Sequence, residues 1–372
     1  MQTTFYAVLH FLTDGLCGFA LYSRFSGNAK WLLYVLIYDF CAFVLQLPFG
    51  ALMDRLKERL PGREERLPFC CAVCGALLTV AGMFIHPAVL GLGNALFHVG
   101  GGIGTIGEDR KKDLRGAALG IFVAPGAMGL FLGTFFGREL AARPAVLIAL
   151  AAAAVYLTLF LVFGTLLWKR EASGSGEPGE TPERVTGSGH TRPEEAPAVI
   201  QVPGMRKGTA AAVIAAALCF IVVMLRSYAG IAVQFSWRSG FRDGFVCTLA
   251  VVLGKMAGGM FTARFGIAKV MTASLIPAAL CYFFSYEPAA GVAALFLFNM
   301  TMPVTLYMIA DRFRGLEGFS FGLLTAALFM GIVPGFAGLS PVLPGQMLGP
   351  LISLASLVLL LCAVLLLRRE KG

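Results

Sequence analysis

The sequence predicts an all-α polytopic membrane protein whose twelve transmembrane helices form two pseudo-symmetric six-helix bundles. Three observations lead there. Hydrophobic residues make up 58% of the 372 and charged residues only 14%, against about 25% charged in soluble domains. Apolar segments of about 20 residues recur, each long enough to cross about 30 Å of hydrocarbon. A polar tract in the middle divides those segments six and six.

The first six spans fall near 4–23, 31–53, 68–86, 88–107, 115–137 and 145–168. The second six fall near 208–235, 243–263, 268–286, 289–309, 318–337 and 345–367. Residues 1–168 are thus an N-terminal bundle and 208–372 a C-terminal one. Between them, 169–207 is rich in Gly, Pro, Ser and Glu and has too little apolar surface to fold alone, so it reads as a disordered linker with His190 in solvent. The first span lacks a charged n-region and a small-residue cleavage site, which argues against a removed signal peptide.

Charge sets the orientation. Of the 30 Lys and Arg residues, 22 lie in loops after even-numbered spans, in the linker or in the C-terminal tail. Six lie in loops of the other parity, and Arg226 and Lys255 lie inside spans. Positive residues stay on the cytoplasmic side, so both termini and the linker are expected there, in a multi-pass protein of the inner cell membrane. The formal charge of +9 is therefore topological. It calls for a lipid bilayer as partner and not for nucleic acid, and a monomer suffices. The cysteines of "FCCAVC" (Cys70, Cys71, Cys74) have no ligand partners at metal spacing and read as small helix residues.

The halves echo each other. "LRGAALGIFVAPGAMG" (114–129) aligns without gaps to "LEGFSFGLLTAALFMG" (316–331), sharing one Leu and three Gly, and "GALMDR" at the end of span 2 corresponds to "GMFTAR" at the end of span 8. Equivalent positions in both halves support a duplicated six-helix unit.

Four places carry chemistry. His10 and Asp14 stand four apart in span 1, sharing one helix face. An ionisable side chain at mid-membrane costs about 2.5–3.5 kcal/mol, so such a pair has a purpose. In "PFGALMDRLKER" (48–59), Gly50 permits close helix approach, and Asp54 and Arg55 can cap and pair with neighbouring helix ends. In "GIFVAPGAMGLFLG" (120–133), Gly120 and Gly129 allow tight packing and Pro125 can bend the span. In "GLGNALFHVGGG" (91–102), Asn94 and His98 stand out from a Gly-rich helix.

Together these places resemble the major facilitator superfamily, whose loop between helices 2 and 3 carries G-x-x-x-D-R and whose antiporters carry a Gly- and Pro-rich fifth helix. The fosmidomycin-resistance branch is the nearest likeness. It has H-x-x-x-D in its first helix and G-x-G-x-x-x-F-H-P in its fourth, matched here by Gly91, Gly93, Phe97 and His98, with Val99 in place of the proline and Gly100 where an acidic residue often follows. The resemblance implies two bundles that rock about a central cavity, with Gly50, Asp54 and Arg55 gating the cytoplasmic side and His98 lining the cavity.

Asp14, Asp39, Arg226 and Lys255 lie well inside spans. Unpaired, they would cost on the order of 10 kcal/mol together, so mutual pairing across a polar cavity is expected. His10 and Asp14 are the expected proton site. Arg226 can hold an anionic small molecule bidentately or pair with Asp14. Lys255 either binds in the cavity or snorkels, and Asn94 and Gln46 complete the polar candidates. With no Walker loop, no paired-Asp or Ser–Lys pattern and no metal-ligand spacing, neither an ATP-driven pump nor an enzyme is expected. No cofactor is expected beyond the proton gradient. The function implied is a proton-coupled exporter of small toxic compounds working by alternating access. An importer of a small anionic metabolite is the alternative, and a non-transporting membrane sensor or scaffold a second one.

Overall fold

Twelve helices run through the described residues of the computed structural model, which are 2–140, 144–174, 210–341 and 343–369. The first half holds α1 (Gln2–Phe25), α2 (Trp31–Arg59), α3 (Arg66–Ile85), α4 (Pro87–Lys111), α5 (Ala117–Glu139) and α6 (Pro144–Gly174). The second holds α7 (Ala210–Ala232), α8 (Gly240–Phe265), α9 (Ile267–Phe283), α10 (Pro288–Arg312), α11 (Glu317–Phe336) and α12 (Gly345–Arg369). Ten of these are long and apolar enough to cross a membrane, while α9 and the apolar stretch Leu150–Leu166 of α6 are shorter. Residues 175–207 of the expected linker, His190 among them, lie outside the described residues.

Local signals place the ends. Pro87 and Pro288 open α4 and α10 at the first helical turn, where a missing N–H costs nothing. His86 caps α4, its Nδ1 accepting the Ala88 N–H at 3.1 Å. Two helices carry a π-turn, Leu21–Phe25 ending α1 and Phe40–Val44 interrupting α2 immediately after Asp39.

Within the first half, α1 packs on α5 and α4, and α3 packs on α4. Lipid gives helices no hydrophobic reason to associate, so close backbone contact does the work. A Cβ on Gly129 would sit 2.0 Å from the Phe11 carbonyl oxygen, and one on Gly133 would sit 1.9 Å from that of Gly15. Thus α1 and α5 touch backbone to backbone, and the two helices carry their side chains as one body. In the second half α7 packs on α11 and α12, α8 on α10, and α9 on α12.

The halves meet along two lines, α2 against α11 and α5 against α8. At the basic end, where the loops after even helices lie, the first line is locked. A Cβ on Gly50 would fall 2.0 Å from the Gly318 carbonyl oxygen, so no larger residue fits that crossing. The Asp54 carboxylate accepts the backbone N–H groups of Gly318 and Phe319, both at 2.8 Å, capping α11 from the other half. Glu317, buried beside them, pairs with Lys57 at 2.9 Å and with Arg110, whose second nitrogen donates to the Ala310 carbonyl at 2.9 Å. Arg55 itself is exposed. Outside this lock lies a cavity of about 1780 Å³ lined by Asp54, Arg55, Lys57, Arg110, Lys111 and Glu317. Along the second line, Phe135 meets Phe241 with ring centroids 4.6 Å apart.

The loop into α5 is built the same way as the lock. Asp109 accepts the N–H groups of Gly116 at 2.9 Å and Ala118 at 3.0 Å, and the left-handed turn this needs falls on Gly116 (φ +99°). Beside it Arg115 binds Asp113 at 2.8 Å in solvent and draws that carboxyl below its usual range.

Candidate functional site

The site starts from a break in α5. Pro125 has no N–H to donate, and the helix stops at Val123 and restarts at Pro125. The last four carbonyls of a helical segment lack partners within it. Two of them find side chains. The Phe122 carbonyl accepts from His10 Nδ1 at 2.7 Å, and the Val123 carbonyl accepts from Lys255 Nζ at 3.3 Å. One break thus receives a donor from α1 in its own half and another from α8 in the opposite half.

His10 then turns its second nitrogen to Asp14. Nε2 lies 3.1 Å from Asp14 Oδ2 and 2.9 Å from Nε2 of His98, which α4 supplies. His98 Nε2 is also 3.7 Å from Asp14 Oδ1. The Nδ1 of His98 faces the Asn94 carbonyl one turn back at 2.9 Å, while the Asn94 amide donates to Asp14 Oδ1 at 2.9 Å and lies 3.5 Å from Cys17 Sγ. His10, His98 and Asn94 are buried, and the Asp14 side chain is 18% exposed. A carboxylate in hydrocarbon is costly without partners, and here it has three.

The tautomers follow from the partners. A backbone carbonyl can only accept, so each Nδ1 carries a hydrogen when the ring is neutral. Both Nε2 lone pairs then converge with the carboxylate. The three ligand atoms lie within 4.8 Å of one another, so His10, Asp14 and His98 could hold a metal ion. Sequence spacing pointed to no such cluster, because His98 is 88 residues from His10 and only the packing of α4 on α1 unites them.

Gly126, which sequence reasoning passed over, stands directly against this group. A Cβ there would lie 2.1 Å from His10 Nε2 and 2.5 Å from Asp14 Oδ2. The signal was present, one residue after Pro125, in a span already singled out for its glycines.

Other expectations need correcting. The four intramembrane charges do not pair with one another among the described residues. Asp14 is held by the histidines and Asn94, and Lys255 takes a carbonyl. Arg226, buried in α7, reaches only the Thr301 hydroxyl at 3.4 Å. Asp39 is half-buried and has no hydrogen-bond or ion-pair partner among the described residues. The physical reason is the seam: both bases belong to the second half, and each meets the nearest oxygen on its own side or across the α5 break. Lys255 nevertheless stays within electrostatic range of Asp14 and Arg226. Gln46, expected in the cavity, is buried in the α2–α11 crossing, its amide donating to the Ala42 carbonyl at 2.5 Å. Gly120 packs at the α5–α8 line, where a Cβ would come within 2.8 Å of the Lys255 carbonyl oxygen.

At the level of sequence, no family model and no curated protein matches the chain. Solved structures do. The chain is similar to the E. coli fucose:proton symporter, with a TM-score of 0.57 at 15% identity over 98% of each chain. A structure of a major facilitator superfamily transporter, FucP, in the outward conformation gives 0.54 at 11% identity, covering 97% of this chain and 99% of that one. The human organic anion transporter MFSD10 gives 0.59 at 14% identity, again over 97% and 99%. The chain therefore shares the fold of these transporter structures.

Proposed function

We propose that the chain is a secondary active transporter of this fold, exporting small toxic compounds by alternating access with the proton gradient as driving force. One observation carries the reading: the α5 break receives His10 from its own half and Lys255 from the other, so rocking of the halves cannot leave the polar centre unchanged. Arg226 and Lys255, neither of them paired with a carboxylate among the described residues, favour cargo with an anionic group. The basic end faces the cytoplasm by the positive-inside rule, and the lock there puts the molecule in a state closed to the cytoplasm. An importer of a small anionic metabolite would share every one of these features except the direction of flux. A sensor or scaffold would show no flux at all.

The test is susceptibility of a drug-sensitive bacterial host producing the protein, with fosmidomycin in the panel. Resistance is expected from the wild type and its loss from Asp14→Asn at equal membrane abundance. Wild-type resistance that persists in Asp14→Asn removes the polar centre from the mechanism. No resistance to any compound, with cargo-dependent uptake into vesicles of known orientation, replaces the exporter by the importer.

A further inference from the structure

We propose that His10, Asp14 and His98 form a binding site for one divalent transition-metal cation, of the Zn²⁺ or Co²⁺ class. The inference concerns binding and does not rest on the transport reading.

The donor set comes first. Two neutral imidazoles and one carboxylate suit borderline divalent metals and leave coordination positions open. The Asp14 side chain is 18% exposed, so protein atoms do not seal it on every side. The geometry fits a single ion. At metal–ligand distances of about 2.0–2.1 Å, donors 2.9 Å apart subtend about 90°. His10 Nε2 and Asp14 Oδ2, 3.1 Å apart, subtend about 100° on the same basis, while His98 Nε2 lies 3.7 Å from the other carboxylate oxygen, Oδ1.

Ring orientation separates a metal from a proton shared between the two histidines. A straight N–H···N bond of 2.9 Å would hold the ring centroids about 5 Å apart. They are 4.5 Å apart with the planes at 87°, so the two Nε2 directions are bent away from a straight line.

The surroundings have the form of an outer shell. Each ring fixes its tautomer by donating Nδ1–H to a carbonyl, Phe122 for His10 and Asn94 for His98. The Asn94 amide orients Asp14. Gly126 keeps clear the space beside the ligand atoms, because a Cβ there would contact His10 Nε2 and Asp14 Oδ2 at once. The cationic side chains on other elements are Lys255 on α8, which interacts with Asp14, and Arg226 on α7, which interacts with Lys255. They weaken the hold on a cation and favour an anionic group or hydroxide on its open positions.

The experiment uses the full chain, purified in detergent through a tag without histidine and titrated with Co²⁺. Expected are visible d–d absorption saturating at one ion per protein, its displacement by Zn²⁺, and a zinc-dependent rise in melting temperature. His98→Ala, which removes a ligand, and Gly126→Ala, which keeps all three but fills the space, should each weaken binding at least tenfold. Asp113→Asn, on the exposed loop, should bind like the wild type. His98→Gln is the conservative substitute if either variant fails to melt cooperatively without metal. The proposal is overturned by an absence of saturable binding, which would leave the ring pair with a proton only. Binding that survives both His98 variants, with the near-ultraviolet charge transfer of thiolates, would overturn it equally by placing the ion on Cys70, Cys71 and Cys74.

Discussion

Gly126→Ala is expected to abolish transport while leaving the helices in place. The added methyl would stand 2.1 Å from His10 Nε2, a distance no real contact tolerates, and 2.5 Å from Asp14 Oδ2. Relief requires either rotating the imidazole off the Phe122 carbonyl or parting α5 from α1, whose backbones already touch at Gly129 and Gly133. Overpacking of this kind costs about 1–3 kcal/mol of stability. Transport rate at equal membrane abundance should fall more than tenfold, since the whole centre is displaced. Gly230→Ala is the control, because nothing lies within 4 Å of a Cβ there and alanine favours a helix over glycine. Normal flux in Gly126→Ala would mean that the His–Asp group is a structural knot and nothing more.

The second large effect belongs to the lock. Asp54→Asn keeps the size of the side chain but turns an NH₂ toward one of two backbone donors, so at least one buried N–H of α11 loses its acceptor. Hydrogen bonds to a charged group contribute about 1.5–3 kcal/mol each, and the α11 dipole adds to the loss. A loss of about 2–3 kcal/mol shifts the balance toward the form open at the basic end by about 30- to 150-fold. Spin labels carried by unnatural amino acids at the exposed positions Arg59 and Arg314 would report it as a longer distance population. An unchanged distribution in both Asp54→Asn and Glu317→Gln would show that the glycine crossing alone keeps that end shut.

Much of the fold could be read from the chain because a bilayer imposes length and composition on every span. The expected spans and the helices agree within a few residues at most ends; the largest differences are the six extra residues of α2 at Arg59 and of α6 at Gly174, both basic-end extensions that hydropathy does not register. The His10–Asp14 pairing was legible as well, since an i, i+4 spacing is a property of one helix. What joins them was not. His98, Gly126 and the Phe122 carbonyl depend on which helices are neighbours, and periodicity within a span carries no such information. Glu317 and Arg110 were closer to reach. The gapless repeat puts Glu317 opposite Arg115, a charge reversal between otherwise similar turns, and it extends upstream to set Asp109–Arg110 against Asp311–Arg312. The two acids at equivalent positions are used differently. Asp109 caps α5 in its own half, whereas Asp311 binds Arg314 and leaves the capping of α11 to Asp54 from across the seam.

The backbone contact between α1 and α5 has a consequence for how such a protein can change. It mounts His10, Asp14 and Gly126 on one rigid body, with His98 alongside on α4, while the two cations stand on the other. On the proposed transport reading, the groups that handle protons thus stand on one half and the cations that would meet cargo on the other. Substitutions around Arg226 and Thr301, which touch neither the α5 break nor the His–Asp group, are expected to change what is carried while sparing the drive, whereas a change at Lys255 reaches both.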